Sequence, residues 1–240
     1  MKSAWLVLGA SSAIARAFAR RAATSGAAVL LVARDAEDAN ALAADLVLRG
    51  SPSCRAIGFD GDVAAAFRDF AQGAVPNAYL AFGSMPAQSE IDADPAALAQ
   101  TLDVNFAAPV ALLHRLMPVL EAVPGGAVVA LGSVAGDRGR LKNYVYGAAK
   151  AGLHAYLQGL RARGARSGVH VVTVKPGFVD TAMTWGFPGM FLVASPDAIA
   201  AACMRAVAGK RDVVYAPFFW WGIMAVIRHI PERIFKKLNI

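Results

Sequence analysis

Seven short apolar runs punctuate the 240-residue chain, and their spacing constrains its fold more than any other feature. They are Trp5–Leu8, Ala28–Val32, Cys54–Phe59, Ala78–Phe82, Ala127–Leu131, His170–Lys175 and Asp212–Tyr215. Runs of four to six residues bounded by glycine or polar turns suit strands buried on both faces, as in a parallel sheet. The stretches between them are long enough for crossover helices. The stretch from Asp35 to Arg49, with Leu42 and Leu46 and a stop at Gly50, reads as one. Asp94-Pro95 and Ser195-Pro196-Asp197 read as helix starts, each a capping side chain followed by proline. Strands alternating with helices give an α/β doubly wound sheet of seven parallel strands with helices on both faces. A chain of this length buries well over half of its unfolded surface as one domain.

One stretch carries chemistry. If the chain after Asn143 is helical, Tyr146 and Lys150 stand at i and i+4 on one face. A free phenol, with a pKa of about 10, is a poor acid or base at neutral pH, but a nearby ammonium favours the phenolate. Ser133 follows the run Ala127–Leu131, where a strand end sets its hydroxyl at the sheet's carboxyl edge. The run Trp5–Leu8 ends in Gly9, opening a turn, G-A-S-S-A-I-A, that precedes a helix, and P-G-F-V-D-T follows Lys175.

Together these residues resemble the short-chain dehydrogenase/reductase family, over roughly residues 3 to 217. The resemblance implies a Rossmann-type fold and an NAD(P)-dependent oxidoreductase acting on CH–OH or C=O groups. It implies that Tyr146 is general acid/base, that Lys150 lowers its pKa and holds the nicotinamide ribose, and that Ser133 orients the carbonyl. Asn105, in T-L-D-V-N-F-A-A-P, corresponds to a family asparagine that kinks its helix and holds a proton-relay water. Pro109 adds to the expected distortion.

The same resemblance assigns the cofactor site. Gly9, Ser11, Ser12, Ala13 and Ile14 occupy the family's glycine-rich turn, whose N–H groups and helix N-terminus hold a pyrophosphate. Ala13 and Ala15 replace two of its glycines, so their methyls are expected to crowd the phosphates and the helix–sheet contact. Arg34, where NAD-preferring sites usually carry an acid, argues for NADP with NAD as the alternative, although Asp35 dilutes its charge. Asp60 or Asp62 faces the adenine amino group, with Asp60 the candidate. Phe82 and Gly83 replace the usual N-N-A-G, and Pro176, Gly177, Val179 and Thr181 border the nicotinamide.

Other classes find little support. Cys54 and Cys203 stand in unrelated contexts and read as small buried hydrophobes, and His114, His154 and His170 lack ligand spacing, so no metal is expected. The chain carries 24 Lys and Arg against 17 Asp and Glu but no nucleic-acid motif. The first apolar run is too short for a signal peptide, so a cytoplasmic catalytic body is expected. From Phe218, FFWWGIMAV leads into Arg228, Arg233, Lys236 and Lys237, too short to span a bilayer. Residues 218–240 therefore read as a tail apart from the catalytic domain (1–217), lying in a membrane interface or making an oligomer contact. Residues 182–194 read as an apolar lid that favours a lipophilic substrate. These features resemble the subgroup reducing decaprenylphosphoryl-2-keto-ribose. Reductases of other lipophilic ketones, acyl or sterol-like, and a non-catalytic NADP-binding protein are the alternatives, and a homo-oligomer is expected.

Overall fold

In a computed structural model, which describes residues 2–186 and 190–238, all seven strands form one sheet. They are β1 (Ser3–Leu8), β2 (Ala28–Val32), β3 (Cys54–Ile57), β4 (Val75–Leu80), β5 (Ala127–Leu131), β6 (His170–Pro176) and β7 (Val213–Ala216). The helices are α1 (Ala13–Thr24), α2 (Ala36–Leu48), α3 (Val63–Phe70), α4 (Gln88–Ala93), α5 (Pro95–Leu102), α6 (Ala108–Glu121), α7 (Tyr144–Ser167), α8 (Pro196–Ala208), α9 (Trp220–His229) and α10 (Glu232–Phe235). Strand order is β3-β2-β1-β4-β5-β6-β7, every pair parallel.

Alternation along the strands builds two cores. On one face Trp5, Val7, Val29, Leu31, Val172 and Val174 meet Phe18 of α1, Leu42 and Leu46 of α2 and Ile199 of α8. On the other, Leu6, Leu8, Leu30, Val128 and Val171 meet Phe67 of α3, Leu113 and Met117 of α6 and Leu157 of α7. This double burial is why the central strands are mostly apolar. Asn77 in β4 is the instructive exception. Buried, it donates to Ser3 Oγ at 2.9 Å and Val75 O at 2.9 Å and accepts from Ala127 N at 2.8 Å, tying β1, β4 and β5 together.

The chain reverses its winding between β1 and β4, and such a switch point opens a crevice at the carboxyl ends of the strands. Helix α8 starts as expected, the Ser195 hydroxyl accepting from Ala198 N at 3.2 Å. Cys203 is buried but Cys54, on edge strand β3, is only half-buried, which corrects its reading as a core residue. Among the described residues no cluster of His, Cys, Asp or Glu could hold a metal.

Candidate active site

The crevice is a cleft of about 990 Å³. Gly9 starts its floor with φ +84°, a left-handed conformation, and a β-carbon there would come within 2.8 Å of Phe82 Cβ. The N–H groups of Gly9 and Ala10 both donate to Val32 O at 3.0 Å, fastening the turn to β2. Ser12 occupies the N-cap of α1 without bonding it through its side chain, so its hydroxyl and the helix's first N–H groups are available to an anion. Ser11, Ser12, Ala13 and Ile14 all line the cleft. Ala15 is fully buried among the core side chains between α1 and the sheet.

Arg34 lines the same end and is exposed. Asp35 does not neutralise it, because its carboxylate caps α2, accepting from Glu37 N and Asp38 N at 3.1 Å each. A second cation, Arg16, also lines the cleft and pairs with Asp38. The sequence reading passed over it, although its place one turn into α1 after the glycine turn was a usable signal. Beside Asp60 the cleft wall is Phe59, packed edge-on to Phe82 at 5.9 Å. Asp62 caps α3 and pairs with Arg115 at 3.1 Å.

At the centre, Tyr146 and Lys150 are both buried, 7% and 4% exposed. Lys150 Nζ lies 5.8 Å from the Tyr146 ring centroid and donates to Leu131 O at 3.3 Å. Burial pushes the Tyr146 phenol up to about 12, with the Ser133 hydroxyl pulling the other way, and pushes the Lys150 ammonium down to about 8. The expectation that Lys150 lowers the phenol's pKa is therefore not met in the protein alone. Burial raises the phenol, and the Ser133 hydroxyl is what opposes it.

Ser133 caps a short 3₁₀ turn, Val134–Asp137, its Oγ accepting from Ala135 N at 3.1 Å. Its backbone N–H donates to His154 Nε2 at 3.4 Å, and burial, with Lys175 adding to it, holds His154 neutral at about 4. Asn105 is fully buried in a π-helical segment, Asp103–Ala107, which interrupts the long helix between α5 and α6 as expected. Its amide donates to Ser84 O at 2.7 Å and Thr101 O at 2.9 Å, and its carbonyl accepts from Ser84 N at 3.3 Å. Gly83 has no room for a side chain: a β-carbon would come 2.7 Å from Asn105 Oδ1 and 3.5 Å from Lys150 Nζ.

Pro176, Gly177, Val179 and Thr181 continue the wall beyond β6. Thr184 Oγ1 donates to Val179 O, and Ala194 N donates to Phe178 O at 2.9 Å, so both ends of the expected lid are anchored. Phe187, Pro188 and Gly189 of that lid lie outside the described residues. Phe191 packs on Phe178 and Trp220. Trp220, Ile223 and Ile227 of α9 line the cleft, and a β-carbon on Gly177 would overlap the Trp220 indole at 1.9 Å.

Arg138 fastens this helix down. It donates to Ile227 O at 2.8 Å and Ile230 O at 2.6 Å, pairs with Glu232 at 2.9 Å and stacks 3.8 Å from the Phe235 ring centroid. The tail is thus a wall of the cleft, not an element apart from the body. Arg140, Lys142 and Asn143 line the same end and were likewise passed over.

Comparisons with known proteins agree on one family. The short chain dehydrogenase family profile matches residues 3–188. An uncharacterised oxidoreductase of Mycobacterium tuberculosis is 32% identical over 239 residues, covering 97% of this chain and 96% of its own. Among solved structures, a short chain dehydrogenase from Burkholderia cenocepacia in complex with NADP superposes with a TM-score of 0.83 at 21% identity, covering 100% of this chain and 98% of its own. One from Sphingobium yanoikuyae in complex with NADPH gives 0.78 at 24% identity, with 96% and 97% covered.

Proposed function

The chain belongs to the short chain dehydrogenase family and is an NAD(P)-dependent oxidoreductase, and from that premise we propose that it reduces a ketone with NADPH. The observation that carries the reading is the meeting of Tyr146, Ser133 and Lys150 on the floor of one cleft. Arg34 and Arg16 at its far end support the choice of NADPH, as do the neighbours that hold NADP or NADPH. The Gly9 turn, with Ser11, Ser12 and the N-terminus of α1, would hold the pyrophosphate. Lys150 would take the ribose, and Val179 and Thr181 the nicotinamide. When bound, NADPH supplies the hydride.

The chain's own residues manage the proton. Ser133 Oγ accepts from Ala135 N, and its O–H, which meets the Tyr146 phenol in the empty cleft, would turn to donate to the substrate carbonyl. The Tyr146 phenol is the second donor. As charge grows on the carbonyl oxygen, the phenol proton passes to it, because an alkoxide is much more basic than a phenolate. The Lys150 ammonium then stabilises the phenolate left behind. His154 holds the backbone at Ser133, and Asn105 holds the strand-four loop against the π segment.

The finer reading is that the ketone is a polyprenyl-phosphoryl keto-pentose met at the cytoplasmic face of a membrane. It is supported by the outer face of the tail, where Phe218 and Trp221, 84% and 66% exposed, stand with Arg228, Arg233, Lys236 and Lys237. The apolar wall of Phe191, Trp220, Ile223 and Ile227 suits other lipophilic ketones as a second reading. NADPH oxidation by the full-length protein is the test, with the keto-pentose carried in anionic vesicles and compared with water-soluble ketones. Turnover in vesicles supports the finer reading. A protein that reduces only soluble ketones and stays off vesicles at low salt refutes it, and one that reduces no ketone while binding NADPH refutes the reductase.

A further inference from the structure

We propose that the end of the cleft between the 3₁₀ turn and α9 binds an anionic group of the ketone substrate, with Arg140 as its partner. This rests on the carbonyl reductase reading and names the chemistry of the substrate. Among the described residues five cations line the cleft and no Asp or Glu does. Arg16 and Arg34 belong to the β1–β2 side, where a dinucleotide's phosphates would meet the Gly9 turn. Lys150 is at the centre. Arg140 stands apart from these, against Val134 of the 3₁₀ turn and Met224 of α9, and Lys142 follows it along the cleft lining.

Arg140 is charged, desolvated and short of partners. Its Nη2 donates to Val134 O at 3.1 Å and touches Met224 Sδ at 3.3 Å, while its Nε is buried with no acceptor. The nearby carboxylate, Asp137, is committed elsewhere, one oxygen to Lys175 Nζ at 2.5 Å and the other to the Tyr215 hydroxyl at 2.6 Å. Burial disfavours the Arg140 guanidinium and the charge of Asp137 offsets this only in part, so a ligand anion would complete the compensation.

Two further orphans line the same cleft. Asn143 Oδ1 and Trp220 Nε1 are buried without hydrogen-bond partners. Buried polar atoms are nearly always satisfied in native proteins, so a group of three in one pocket marks where a ligand's polar atoms go. An acceptor is needed for Arg140 and Trp220, and a donor for Asn143. The class is therefore an anionic ketone that also carries a hydroxyl, with its apolar part against Ile223 and Ile227.

The test uses the full chain with NADPH and methyl ketones bearing a carboxylate two to eight methylenes from the carbonyl, each paired with its methyl ester. Wild type should prefer the acid over its ester by at least about tenfold in kcat/KM at one chain length, through KM. Arg140→Met should bring that ratio to about one, and Arg140→Lys should restore part of it. A wild type that prefers no acid, or a Met variant that keeps the preference, overturns the proposal. Loss of NADPH binding in the Met variant overturns it too, by placing Arg140 in the cofactor site. The wild-type ratio needs no variant, so a misfolded Met protein leaves the proposal open to refutation. If no ketone is reduced, calorimetric titration of the same acids and esters into the NADP⁺-loaded protein separates the two failures. Acid binding that Arg140→Lys weakens keeps the anion site while the reductase reading falls, and no acid binding ends both.

Discussion

Replacing Lys150 with methionine should make the cofactor-free protein more stable while ending its turnover. The Lys150 ammonium is buried in the folded chain, and burial takes its pKa from 10.5 to about 8. The sign follows from proton counting. Between these two values the unfolded chain binds the extra proton, so stability rises with pH there, and below pH 8 the full cost of burying the charge is present. At pH 7 that cost is about 3 kcal/mol, at 1.36 kcal/mol per unit. Methionine fills nearly the same volume but leaves Leu131 O without its donor, which takes back about 1 kcal/mol. A net gain of about 2 kcal/mol raises the melting temperature of a chain this size by about 4–8 °C. At pH 10 the burial cost falls to about 1 kcal/mol and the two proteins should melt together. Melting curves of both cofactor-free proteins at pH 7 and pH 10 decide the matter. A variant no more stable than wild type at pH 7, or one whose advantage grows toward pH 10, would refute the argument that Lys150 is a buried charge kept for function.

Tyr146→Phe should keep NADPH affinity near wild type and lower kcat by at least about 10²-fold, read by fluorescence titration and NADPH oxidation. Arg34→Ala should cut the NADPH over NADH preference in kcat/KM by about 10–100-fold, since a charge-assisted contact contributes about 1.5–3 kcal/mol; an unchanged ratio would hand the phosphate to Arg16. Gly177→Ala, whose β-carbon would overlap the Trp220 indole, should cost about 1–3 kcal/mol in urea unfolding by displacing α9. A chain ending at Ala216 should melt lower than full length, because Trp220 and Met224 each contribute about 1.5–3 kcal/mol through burial; equal melting would restore the tail to the status of an appendage.

How much of this was legible in the chain depended on whether the cause was local. The runs that became β2 and β5 matched residue for residue, because a strand covered on both faces admits only apolar side chains and its ends are sharp. Strand β4 was read three residues late. Its start holds Pro76 and Asn77, and Asn77 is tolerated only because Ser3, Ala4, Val75 and Ala127 satisfy its amide from three strands. Ser133, Tyr146 and Lys150 were placed by spacing, since a strand end and one helical turn fix their relation, and Asn105 by the family resemblance. Their ionisation was not, because spacing reports which charges meet and says nothing of how much water is left between them. Asp60 and Asp62 could not be told apart for the opposite reason: two acids near one turn look alike in sequence, and only the geometry commits Asp62 to a helix cap.

The tail shows why the remaining part was hidden. Its inward row, Trp220, Ile223, Met224 and Ile227, and its outward row, Phe218, Trp221 and Val226, are both apolar, so the sequence offers no polar face to say which side meets the body. Arg138 resolves this from ninety residues away, by taking the carbonyls at the end of α9, and Gly177 does so by lacking a β-carbon where the indole lies. The consequence is a coupling between the two rows. Whatever meets Phe218 and Trp221 from outside bears on the helix whose inner side chains bound the substrate, beside the unpaired Nε of Arg140. If the proposed substrate and membrane docking both hold, one helix would serve as the wall of the pocket and as the docking surface.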